Sequence, residues 1–155
     1  MAGRHVIWAM AAAYALPTFA AGALMGAVRV LLVTPLTGPV GAVLLELPMM
    51  LAVAWFICGL ILDAPWASRR FADRLAMGVA AFTLLMSLEM LLGLLVFGQE
   101  PGEIFRGLSA PAGRLGLLGQ AAFALLPLVP RPAPAPPKRA STSETFPAAW
   151  PRADA

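Results

Sequence analysis

GAVRVLLVTPLTGPVGAVLLELPMM, residues 26–50, decides how this chain is read. Two apolar runs flank a turn rich in proline and glycine. Each run carries one charge, Arg29 before the turn and Glu46 after it. If both runs lie in a membrane, neither charge can easily face lipid. They must face each other, another buried polar group, or a water-filled cavity.

The composition supports that premise. The chain has 155 residues, of which 60% are hydrophobic and 12% charged, and its mean hydropathy is +0.81. Soluble domains carry about 25% charged residues. A chain this small has too little interior to hide so much apolar side chain. One integral membrane domain is the expectation. The formal net charge of +3 does not point to nucleic acid, because the basic residues sit at the ends of apolar segments and in the tail, where topology explains them. The single cysteine, Cys58, lies in an apolar run and reads as a packing residue.

Outward from the hairpin, the pattern predicts four spans, at about 6–33, 40–62, 75–97 and 113–130. The first is longer than a hydrocarbon core of roughly 30 Å requires, so a tilt or a kink at Pro17 is expected. It shares features with a secretory signal, but its apolar run continues well past the small residues at 20–23, so no cleavage is expected. TPLTGP, residues 34–39, reads as a tight turn. Pro48 removes a backbone donor two residues after Glu46 and marks a second kink. Between spans, DAPWASRRFADR (63–74) is a charged loop, and Pro101–Leu108 is expected to form a short interfacial helix. The fourth span is near the lower limit of about 17 residues for crossing. The segment after Pro130, RPAPAPPKRASTSETFPAAWPRADA, has little to bury and reads as a disordered or polyproline-like tail.

With four spans, Arg4, Arg69, Arg70, Arg74, Arg131, Lys138, Arg139 and Arg152 fall on one side. Arg106 and Arg114 fall on the other. The positive-inside rule then places both termini in the cytoplasm of a bacterial inner membrane.

Depth arithmetic gathers the scattered polar residues into a group. Arg29 lies six residues before Pro35, Glu46 seven after Pro39, Glu89 eight before Phe97, and Gln120 seven after Gly113. Each is therefore roughly 10 Å below the outer end of its helix at 1.5 Å per residue. The expectation is one intramembrane polar layer, Arg29, Glu46, Glu89 and Gln120. Gly22, Gly26, Gly78, Gly93 and Gly116 share faces with these residues and read as helix-packing positions of the small-xxx-small kind. Two roles fit the layer. As structural glue, the arginine pairs with one or both carboxylates and Gln120 adds a donor. As a working site, the excess of one acid leaves Glu46 or Glu89 able to bind and release a proton.

No Cys/His cluster, phosphate loop or nucleophile–base pair is visible, so no cofactor or metal is expected and an enzyme is the weakest reading. Thr83 and Ser87 are expected to bond back to their own helix. The expected partners are the lipid bilayer and another membrane protein or a second copy, with no nucleic acid.

Arg29-Val30-Leu31, Gly38, Glu46-Leu47-Pro48, Leu75-Ala76-Met77-Gly78, and Leu85-Met86 with Glu89 and Gly93 together resemble a group of small four-helix bacterial inner-membrane proteins of unassigned function. The resemblance covers the first three spans and implies architecture without an activity. The leading expectation is a non-enzymatic membrane subunit or scaffold. A proton- or ion-linked transport component is the alternative.

Overall fold

The computed structural model describes residues 3–68 and 70–130. The expected disordered tail, and Arg69 with the basic residues beyond 130, lie outside the described residues. Within them the chain is helical and has no strand. The elements are α1 (Arg4–Val28), a π-helical turn (Arg29–Val33), α2 (Thr34–Leu62), α3 (Phe71–Leu95), α4 (Pro101–Ser109), α5 (Pro111–Leu125) and a final 3₁₀ turn (Leu126–Leu128). The runs Arg4–Leu62, of 59 residues, and Phe71–Leu95, of 25, are long and apolar enough to cross a membrane.

The six-residue turn expected at 34–39 is smaller than the sequence suggested. The helix continues through Thr34–Thr37, and the backbone leaves helical geometry at Gly38 (φ 74°, ψ 168°), after which Pro39 restarts it. A positive φ of that size is readily reached by glycine and rarely by a residue with a Cβ. Just before it, the Thr34 N–H reaches the Arg29 carbonyl, five residues back. Pro35 has no N–H to offer the carbonyl one turn earlier and its ring crowds it, which explains the widening. The Thr37 hydroxyl donates to the Val33 carbonyl at 3.0 Å.

The helices also run through Pro17 and Pro48, where kinks were expected. Departures from α-helical backbone sit at Arg29–Val33 and Gly38. The expected 63–74 loop is shorter, because α3 already begins at Phe71 after an extended Arg70. Asp73 in its first turn suits the positive end of the helix dipole and accepts a bond from the Ser68 hydroxyl at 2.6 Å. The span expected at 113–130 starts earlier, at Pro111, and ends as α-helix at Leu125. α4 runs from Pro101 to Ser109, where a short helix was expected at 101–108, with the Glu103 carboxylate accepting from the Glu100 N–H at 3.2 Å.

α1 packs against α2 and α3, and α5 packs against the same two, so α1 and α5 face each other across the interior. The Tyr14 hydroxyl crosses that diagonal and donates to the Phe123 carbonyl at 3.0 Å. Their rings stack with centroids 4.2 Å apart. Around this bridge lies the close-packed core: Met10, Ala11, Ala15, Ala54, Cys58, Ile61, Leu62, Met77, Ala81 and Leu85. We call this the closed end, and the opposite end, near Gly38 and α4, the hollow end. Large apolar side chains cover the outside of the helices, among them Leu24, Leu31, Leu44, Leu60, Val79, Leu91, Leu95 and Leu118.

Candidate functional site: a polar cavity at the hollow end

The polar residues sit where the helices diverge. Arg29 opens the π-helical turn, and its Nε lies 3.1 Å from Glu46 Oε2 on α2. Both side chains are partly buried, with 33% of Arg29 and 14% of Glu46 exposed. Across the interior, Gln120 Nε2 on α5 donates to Glu89 Oε2 on α3. Glu89 is exposed, whereas Gln120 is half-buried. Gln120 Oε1 is buried without a hydrogen-bond partner among the described residues. Arg29 acts electrostatically on Glu46 and Glu89, and Glu46 acts on Glu89.

All four residues line one cavity of about 770 Å³. Its floor is the top of the closed end, at Thr18, Ala54 and Phe123. Its mouth includes Leu31, Thr34, Pro39, Phe97 and Leu108. From Thr18 to Thr34 the wall rises about 24 Å at 1.5 Å per residue. A second cavity, of about 390 Å³, lies between α3 and α4. Glu89 lines both, and Ser87, Gln99 and Glu103 line the second.

The glycines divide between two jobs. At Gly78 a Cβ would collide with the Ala124 carbonyl oxygen, so this residue sets the close approach of α3 and α5. Gly93 packs against Gln99 and Ile104, and Gly22 meets the tip of Met50. Gly26 and Gly116 were expected at helix contacts, but a Cβ on either would meet nothing within 4 Å. They line the cavity. Small residues here leave volume because no neighbouring helix comes close enough to fill it.

The sequence reading missed other contributors. Gly113 and Gly119 are tight contacts, against Gly107 and Leu47 respectively, and with Gly116 they recur every third residue along α5. That spacing was visible in the sequence. Tyr14 as the diagonal bridge was not, since it depends on which helix lies opposite. Gln99, read as a loop residue, and Glu103, on the expected interfacial helix, were not placed beside Glu89 by the sequence, yet they line the second cavity with it. Thr83 and Ser87, by contrast, do as expected and donate to carbonyls four residues earlier on their own helix, at 3.0 and 2.8 Å.

The arrangement pairs residues within neighbouring helices. Arg29–Glu46 joins two segments already tied by the Gly38 turn, and Glu89–Gln120 joins α3 to α5. No hydrogen bond or ion pair among the described residues closes the cavity between these two pairs. Comparison with protein-family models, curated proteins and solved structures finds no match for this chain.

Proposed function

We propose that this is a four-span protein of a bacterial inner membrane, with both termini cytoplasmic, and that it handles protons or cations through the polar cavity of its hollow end. One observation carries the reading: four polar side chains from four helical segments line a single cavity instead of being packed away. Polar residues used only as glue bring helices into contact, and their wasted volume would cost packing.

The membrane reading rests on length and surface. α3, with 25 residues, extends about 38 Å. α5 and the 3₁₀ turn, with 15 and 3 residues, extend about 28 Å together, close to a hydrocarbon core of roughly 30 Å. The apolar outer surface suits lipid and would promote association in water.

In this account Glu89 carries the moving charge, because Glu46 already has Arg29. The Gln120 amide accommodates both states of Glu89. Nε2 donates to the carboxylate, and after a half-turn of the amide Oε1 accepts from the protonated acid. The test is proton flux into vesicles reconstituted with the full chain, followed by an internal pH-sensitive dye under an imposed gradient. Flux above protein-free vesicles that falls in Glu89→Gln supports the reading. Flux at the protein-free level contradicts it.

A scaffold role is the second reading, and the Arg29–Glu46 pair closing the hairpin favours it. It predicts a membrane partner that co-purifies in mild detergent and normal stability loss without flux.

A further inference from the structure

The cavity is far larger than a proton or a metal ion requires. Sites that enclose organic ligands commonly span about 300–1,000 Å³, and this one holds about 770 Å³. Its lining is largely apolar and includes the rings of Phe19, Phe97 and Phe123. Its charge is unbalanced: one guanidinium, Arg29, stands against two carboxylates, Glu46 and Glu89, leaving one negative charge. Arg29 is engaged through Nε with Glu46, while the hydrogen bond that Glu89 accepts comes from a neutral amide. The site is therefore rich in acceptors where it is short of positive charge.

Access follows the same sign. The second cavity meets Glu89 from the α3–α4 side and carries Glu103 and Gln99 in its wall. Acidic groups along a cleft with apolar walls raise the local concentration of cations.

We infer that the hollow-end cavity binds an organic cation with an apolar body, its positive group against Glu89 and its body among apolar wall residues that include Phe19 and Phe123. Burial of the apolar body against the apolar lining adds to the carboxylate's attraction. This rests on the reading of the cavity as a binding site.

The experiment is calorimetric titration of the full chain in nanodiscs of zwitterionic lipid with benzyltriethylammonium, alongside benzenesulfonate and neutral 3-phenylpropanol. The expected result is saturable binding of the cation at one per chain, weakened about tenfold or more by Glu89→Gln, where tenfold corresponds to about 1.4 kcal/mol. Gly116→Leu, which fills the cavity from a position with open space before it, should abolish binding. Absence of saturable cation binding overturns the inference. So does binding that Glu89→Gln or Gly116→Leu leaves intact, or benzenesulfonate binding more tightly than the cation. Glu89-dependent proton flux without cation binding overturns this inference alone, and cation binding without flux overturns only the transport reading.

Discussion

The two ends of the molecule use the same helices to opposite effect. At the closed end Tyr14, Met10, Met77 and Cys58 are fully buried and interdigitate around the Tyr14–Phe123 bridge. At the hollow end the inward positions are Gly26, Gly116 and Ala23, and the helices stand around a cavity instead of meeting. Glycine alone does not predict contact. Gly78 draws two helices together because the Ala124 backbone is there to meet it, and Gly116 leaves space because nothing is. The difference lies in what stands opposite, and it separates a packed end from an open one.

The largest test of this contrast is truncation at each end. Tyr14→Ala removes a stacked ring and a buried hydrogen bond, and should cost about 3–5 kcal/mol by analogy with other large aromatic truncations. Leu117→Ala, at the cavity wall, should cost under about 1 kcal/mol, because the space beside it is already empty. Thermal unfolding in one fixed detergent compares the two, and equal losses would erase the distinction.

Enlargement makes the converse test. Gly78→Val should destabilise by about 1–3 kcal/mol through overpacking against the Ala124 backbone. Arg29→Met should come next, at about 1–2 kcal/mol, because it leaves the partly buried Glu46 without its cation. Restoring both positions to apolar side chains, in Arg29→Met with Glu46→Met, should recover most of that loss. A double variant less stable than either single variant would return the pair to a structural role. The smallest effect is expected at Gly116→Ala, neutral or stabilising by about 0.5–1 kcal/mol because alanine restricts the unfolded chain and favours helix.

Much of this was legible beforehand in one respect and invisible in another. Counting residues from the turns places Arg29, Glu46, Glu89 and Gln120 at one depth, because helical rise converts sequence distance directly into height. The four do line one cavity. Rotation around the interior and distance across it have no such ruler. Arg29 could have reached either carboxylate from the sequence alone, and the π-helical turn places its Nε beside Glu46. Likewise the small residues of the first segment and α5 were visible in the sequence, but whether they touch a neighbour depends on how far the helices splay. Pro17 and Pro48 sit inside helix, whereas Pro35, Gly38 and Pro39 act together and reshape the backbone.

The most direct test of the hollow end is chemical access. The wild-type chain has one thiol, Cys58, buried in the closed end. Gly116→Cys adds a second facing the cavity. Treated in nanodiscs with a small cationic methanethiosulfonate and weighed by mass spectrometry, the wild type should remain unmodified while Gly116→Cys gains one adduct. If the new thiol is as protected as Cys58, the hollow end is closed and the polar layer is not a site.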